Sequence, residues 1–137
     1  RVAARAAVEA AIAEVDRELP PHELAHYRGR LVVDLRPRSA GGKREAMEGL
    51  LADLRPATAI AFGDDLSDAD GFAVLHEARR SGALVAALAV AVTGPHGMPD
   101  EVRAAADLVL AGPRDAARAL STLASALERD ARSPASR

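Results

Sequence analysis

The sequence contains no cysteine and only 2% aromatic residues. The absence of cysteine excludes disulfide bonds, thiolate catalysis and cysteine-ligated zinc. So few aromatic side chains argue against a stacking surface for nucleic-acid bases, and a net charge of -2 argues against binding driven by phosphate neutralisation. The apolar run 84–92 is too short to span a bilayer, and no signal peptide is visible. We therefore expect a cytoplasmic protein.

What is present is typical of a soluble globular domain. The 137 residues are 49% hydrophobic and 28% charged, which is about one domain's worth of chain with enough apolar residues for a core. Apolar spacing, glycines and prolines predict helices and strands. The predicted helices cover 1–19, 43–54, 69–81, 99–106 and 114–129, and the predicted strands cover 31–35, 59–62, 84–92 and 107–110.

Helices and strands alternate from Lys43 onward. This order predicts a parallel sheet with helices on both faces. Gly82 follows the third helix, where a C-terminal cap belongs. We expect Asp68 or Asp70 to cap the start of that helix.

The main chemical feature is an acidic stretch that follows the strand 59–62. After Gly63 come four carboxylates within seven residues, Asp64, Asp65, Asp68 and Asp70. Oxygen ligands at the carboxyl end of a strand suit a hard cation such as Mg²⁺. The alternative is a solvated loop whose aspartates only cap the next helix. The segment 68–72 also contains an Asp-x-Asp-Gly pattern, but no buried strand precedes it, so we do not interpret it as a nucleophile loop.

At two other places in the sequence, charged residues are candidates for a functional role. Lys43 opens a helix after a glycine pair, where the helix dipole disfavours a cation but where a lysine could reach a phosphate. Asp34 and Arg36 lie on one face of an early strand, as either a surface ion pair or a grip on a hydroxylated substrate. We interpret His76, in the helix after the acidic stretch, as structural.

Together these segments resemble the trehalose-6-phosphate phosphatase family, which belongs to the haloacid dehalogenase-like phosphatases. The resemblance is carried by the segment 31–37, by Lys43 with Ala46, and by the segment 63–68 with Phe72. It implies a haloacid dehalogenase-like Rossmannoid core preceded by part of an α/β cap. Residues 1–38 would end the cap, 39–130 would form the carboxyl-terminal half of the core, and 131–137 would be a disordered tail.

The resemblance also implies roles for individual residues. Lys43 would neutralise the phosphate and the nucleophile, and Asp64 would bind Mg²⁺ with Asp68 in support. Asp65 would shape the loop or the outer metal shell. Asp34 and Arg36 would lie near the sugar of a small-molecule sugar phosphate. We thus expect catalytic roles for Lys43, Asp64 and Asp68, and metal binding by Asp64, Asp65 and Asp68.

The sequence departs from the family pattern in four places. Asp34 stands where the family has Glu, Ser67 and Ala69 replace Thr and Glu, and Arg44 replaces the glycine after the lysine. In addition, no strand followed by the Asp-x-Asp nucleophile precedes Asp34, and the sequence begins with Arg1 rather than Met. We therefore expect an incomplete chain that is inactive alone.

Other functions stay open at this stage. The chain could be a non-catalytic pseudo-phosphatase or regulatory module, or a relative that acts on sucrose phosphate or mannosyl-phosphoglycerate. Association or fusion with a trehalose-6-phosphate synthase is a further expectation.

Overall fold

A computed structural model describes residues 2–18, 24–28, 33–37, 40–95 and 97–132. The chain divides into two compact units, Arg1–Gly42 and Lys43–Arg137. This division lies four residues beyond the boundary between 38 and 39 that we expected from the sequence. The assignment of the two units to a cap and a core stays a prediction.

The first unit contains a helix and a two-stranded antiparallel sheet. Helix α1 spans Val2–Glu18, and strands β1 and β2 span Leu24–Arg28 and Val33–Pro37. Pairing of Tyr27 with Asp34 sets the register of the two strands. The sequence pattern predicts no strand over 24–28, and antiparallel pairing with β2 is what makes this segment a strand. Residues 31 and 32, which we predicted to begin β2, lie outside the described residues.

The second unit is built on a three-stranded parallel sheet in the order β3-β4-β5. These strands span Thr58–Gly63, Ala86–Val92 and Leu108–Leu110. The helices between and after them are α2 (Lys43–Leu54), α3 (Leu66–Ser81), α4 (Asp100–Ala105) and α5 (Pro113–Arg132). The parallel sheet flanked by helices confirms the predicted α/β class. Because the strands are parallel, their carboxyl ends meet at one edge of the sheet.

One face of this sheet is lined by alanines. Residues Ala59, Ala61, Ala87, Ala89 and Ala91 alternate with larger residues along β3 and β4, so they share a face. Such small side chains let a helix approach closely, and Phe72 and Leu75 of α3 pack into this layer. The opposite face carries the larger aliphatic side chains.

Helix α2 packs on the outside of α3 rather than on the sheet. Its Met47 and Leu51 lie against the cluster around Leu75, and the end of the Met47 side chain lies near Gly71 of α3. None of the α2 residues is fully buried. The position of α2 is therefore fixed by the contacts of one side of the helix. These contacts also affect how the side chain of Lys43, its first residue, is held.

The helix ends are set by local hydrogen bonds. Helix α3 begins three residues earlier than predicted, because Asp65 is its N-terminal cap. The predicted cap at Gly82 is confirmed, and its φ of 80° is in the left-handed region that favours glycine. Helix α5 extends to Arg132, which includes two residues that we expected in the tail, and 133–137 lie outside the described residues.

None of the helices that the structure describes is both long enough and apolar enough to cross a bilayer.

A half-buried aspartate ties α3 to the sheet at the start of β5. The Asp107 carboxylate accepts a hydrogen bond from the Ala89 backbone amide at 2.8 Å and contacts His76 Nε2 at 3.2 Å. Arg79 lies 3.5 Å from the second carboxylate oxygen and donates to the Ala87 carbonyl at 3.1 Å. His76 thus bridges α3 to the sheet.

We expect the charge of Asp107 to stabilise the fold in a pH-dependent way. The hydrogen bond from the Ala89 amide, helped by His76 and Arg79, holds the pKa of the Asp107 carboxyl below its usual value. Its stabilising effect is therefore complete above about pH 4, the ordinary pKa of aspartate, and is lost as the pH falls through the lower pKa of the folded protein. Asp107→Asn should lower the free energy of unfolding by about 1–2 kcal/mol at pH 7.

Urea unfolding at several pH values checks this expectation. The difference between the parent protein and Asp107→Asn should shrink as the pH drops below about 4. Asp53→Asn removes an exposed carboxylate from α2 and serves as the control. A difference that stays constant with pH would contradict a role for the charge.

Candidate functional site

The acidic stretch lies at the carboxyl edge of the parallel sheet. Strand β3 ends at Gly63, Asp64 and Asp65 form the turn, and α3 begins at Leu66. The neighbouring strand β4 ends at Val92, and the loop that follows it returns past the turn. A Cβ atom placed on Gly94 of that loop would lie 3.6 Å from Asp64 Oδ2. The acidic stretch thus lies where the strands β3 and β4 end; that it forms a functional site stays a prediction.

Asp68 lies in the first turn of α3. Its carboxylate folds back toward the turn formed by Asp64 and Asp65 and holds that turn in place. Its Oδ2 accepts hydrogen bonds from the backbone amides of Asp64, at 2.9 Å, and Asp65, at 3.0 Å. Its Oδ1 forms an ion pair with Lys43 Nζ. Only 13% of the Asp68 side chain is exposed, so these three donors replace most of the water around its charge.

Gly63 is glycine because of this folded-back carboxylate. A Cβ atom at position 63 would lie 2.7 Å from Asp68 Oδ2, closer than real Cβ atoms approach other atoms. The small residue at the strand end thus makes room for the side chain that closes the turn. The sequence shows a glycine at this position but not which side chain occupies the space beside it.

The other two aspartates have different surroundings. Asp65 is the N-terminal cap of α3, and it forms a capping box with Asp68. The prediction that Asp68 or Asp70 is the cap residue was wrong: Asp68 is the third helical residue, and it closes the box by accepting from the Asp65 amide. Asp70 is exposed within α3.

Asp64 has the carboxylate best suited to a cation. It is exposed, and the described part of the chain gives its carboxylate no hydrogen-bond or ion-pair partner. Within the described ranges, no three histidine, aspartate or glutamate side chains converge as a metal-binding group. This donor set fits Mg²⁺, which often uses one or two protein carboxylates together with water and substrate phosphate. Metal binding by Asp64, Asp65 and Asp68 stays a prediction, of which Asp64 is the strongest part.

Lys43 is the first residue of α2, and its ammonium lies on Asp68. An ammonium group has three donors, so contact with one carboxylate leaves donors for a phosphate. The side chain is 49% exposed. A compositional signal also marks this residue: Lys43 is the only lysine among the 18 basic residues of the sequence. We did not use that signal when predicting the site.

The two predicted sugar-binding residues lie in the first unit, on β2. Asp34 and Arg36 are two residues apart on that strand, opposite Tyr27 and Ala25 of β1. The side chain of Asp34 lies outside the described part, and Arg36 is partly buried. Their contact with a substrate stays a prediction.

We expect Gly63→Ala to disrupt the turn. The added methyl group would displace the Asp68 side chain and with it the contact to Lys43, so the free energy of unfolding should fall by about 1–3 kcal/mol. Gly49→Ala in α2 is the matched control, because a Cβ there meets nothing within 4 Å. Alanine in an open helical position should be neutral or stabilising by about 0.5–1 kcal/mol.

Thermal and urea unfolding of both variants measure these effects. Equal stability of Gly63→Ala and the parent protein would show that Asp68 is not packed over Gly63 in solution.

Over residues 2–103 the chain matches the model of the family described as trehalose-phosphatase. That range is about three quarters of the chain and includes Lys43, Gly63, Asp64 and Asp68. Strand β5 and helix α5 lie beyond it. No curated protein matches the chain. With a family model that covers most of its length, and with the lysine and acidic turn joined at the sheet edge, the chain belongs to the trehalose-phosphatase family.

Proposed function

We propose that this chain supplies half of the active site of a Mg²⁺-dependent sugar-phosphate phosphatase that acts on trehalose 6-phosphate. The observation that carries the proposal is the Asp68 carboxylate, which holds Lys43 on one oxygen and the Asp64 backbone amide on the other. A cation and an open carboxylate are thereby brought to one end of the sheet, although 21 residues separate Lys43 from Asp64.

This pairing suits the chemistry of phosphoryl transfer. Charge on the phosphoryl oxygens must be offset as the group moves between its donor and its acceptor. Lys43 would supply one positive charge directly to the phosphate. Mg²⁺, when bound, would supply the second, and Asp64 is the residue that would hold it. Asp68 would keep the ammonium of Lys43 in place, and Asp65 would keep the turn in shape as the cap of α3.

We place the nucleophile outside these 137 residues. The aspartates of the turn have other tasks: Asp65 caps a helix and Asp68 is taken up by three donors. The family resemblance supplies an Asp-x-Asp pair on another strand for the covalent step. The sugar would be held by Asp34 and Arg36, and the enzyme would work in the cytoplasm, in association with or fused to a trehalose-6-phosphate synthase.

We expect the purified chain alone to release no phosphate from trehalose 6-phosphate, because it lacks the nucleophile. A colorimetric phosphate assay with and without MgCl₂ measures this, and sucrose 6-phosphate and mannosyl-phosphoglycerate are the comparison substrates. Magnesium-dependent release that is abolished by Lys43→Ala would show that the nucleophile lies within the chain, and would overturn that part of the proposal.

We expect the chain to bind inorganic phosphate only when Mg²⁺ is present, with micromolar or weaker affinity. One or two carboxylates hold Mg²⁺ mainly when a phosphate shares it. Titration calorimetry with phosphate in MgCl₂ should show at least a tenfold loss of affinity in Lys43→Ala, which removes a positive charge that faces the anion, and in Asp64→Asn, which removes the carboxylate that would hold Mg²⁺.

Asp70→Asn is the matched control for this measurement, because it removes an exposed carboxylate seven residues beyond Gly63 without touching the turn. Phosphate binding that needs no magnesium, or that survives both Lys43→Ala and Asp64→Asn, would contradict the proposed site. Submicromolar binding of Mg²⁺ alone would contradict the assignment of so few protein ligands.

A further inference from the structure

Helix α2 begins with two adjacent cationic residues, and each of them pairs with a carboxylate of α3. Lys43 and Arg44 are the first two residues of α2, where the helix dipole disfavours positive charge. Lys43 pairs with Asp68, and Arg44 pairs with Glu77. The sequence pattern of the family has a glycine in place of Arg44, so the second pair is a feature of this chain.

Arg44 and Glu77 form a bidentate ion pair. Arg44 Nη1 lies 3.1 Å from one carboxylate oxygen of Glu77, and Nη2 lies 3.4 Å from the other. Arg44 Nη1 also lies 3.4 Å from Glu48 of its own helix. The hydrogen bond from Arg44 is the main cause of a lowered pKa at Glu77, and Glu77 in turn raises the pKa of Arg44. A planar guanidinium engaged on both oxygens fixes direction as well as distance.

The two ion pairs are far apart along α3. Asp68 and Glu77 are nine residues apart, which corresponds to about 13 Å at 1.5 Å per residue. Neighbouring residues on a helix point about 100° apart, so Lys43 and Arg44 leave α2 in different directions. Two anchors that diverge in this way fix the rotation of the first turn of α2 about its own axis. The apolar contacts of Met47 and Leu51 lie one and two turns farther along the helix, so the two ion pairs add a hold at its first turn.

We propose that Arg44 is a positioning residue, which acts through Glu77 to hold the Lys43 ammonium against Asp68. The consequence for phosphate binding rests on the proposed function, whereas the contact itself does not. Arg44 need not touch the substrate.

The single lysine of the chain makes this proposal testable without any activity. Acetylation of the purified protein with an amine-directed ester modifies only the amino terminus and Lys43, and peptide mass spectrometry separates the two. An ammonium held on a carboxylate reacts more slowly than a free one. Asp68→Asn should give the largest increase in the rate at Lys43. Arg44→Ala and Glu77→Gln should each raise this rate about two- to fivefold, the size expected when one exposed ion pair is lost.

The matched control is Glu48→Gln. Glu48 contacts the same Nη1 atom as Glu77 and its side chain is equally exposed, at 52%, but it lies on α2 itself. It cannot orient α2 relative to α3, so its loss should leave the rate at Lys43 unchanged. The reversed pair, Arg44→Glu with Glu77→Arg, should restore slow acetylation. Arg132→Ala removes an exposed pair on α5 and reports general effects of losing an arginine.

Circular dichroism and the urea midpoint must show that each variant is folded. The proposal is overturned if Arg44→Ala and Glu77→Gln leave the Lys43 rate at the parent value while Asp68→Asn raises it. It is also overturned if Glu48→Gln has the same effect as Glu77→Gln. Protection of Lys43 by phosphate with MgCl₂ tests the proposed function separately: if the parent protein shows none, the phosphate site fails and the positioning result still stands.

Discussion

The site depends on one partly buried charge, the carboxylate of Asp68. With 13% of its side chain exposed, this group has lost most of its water, and two backbone amides and one ammonium take the place of that water. Loss of any of these donors would leave a poorly solvated charge, which is costly. The requirement explains why Gly63 has no side chain, why the turn at 64 and 65 is tight and why the first residue of α2 is a lysine.

The sheet and helices provide the rigid frame for this charge. Alanines on one face of β3 and β4 allow α3 to lie close, which places the first turn of α3 beside the end of β3. Asp107 fixes α3 to the sheet farther along the helix, through His76 and Arg79. Because α2 has no fully buried residue whereas α3 has four, we expect the orientation of α2 to be more sensitive to single contacts than that of α3. This is why an exposed pair such as Arg44 with Glu77 can matter for Lys43.

The four aspartates of the turn, which look equivalent in the sequence, have separate tasks. Asp68 is the internal acceptor, Asp65 is the helix cap, Asp64 is open to a cation and Asp70 is exposed. Because the four aspartates are near one another in the sequence, we expected a shared metal site. Like charges at such short distances are stable only if most of them have other partners. Backbone amides and Lys43 provide those partners. This division leaves the Asp64 carboxylate for the Mg²⁺ that we propose, a cation that would be shared with a substrate phosphate.

Apolar periodicity, glycine and proline act over a few residues, and they were enough to predict the alternation of helices and strands, the acidic turn after β3 and the cap at Gly82. The motifs also marked Lys43 and Asp64 as candidates. The folded chain was needed to show that Asp65 rather than Asp68 or Asp70 caps α3, that 24–28 forms a strand, and that Arg44 meets Glu77. These features depend on partners far along the chain or on backbone amides, which leave no pattern in the order of side chains. The contact of Lys43 with Asp68 spans 25 residues, and folding of α2 onto α3 is what creates it.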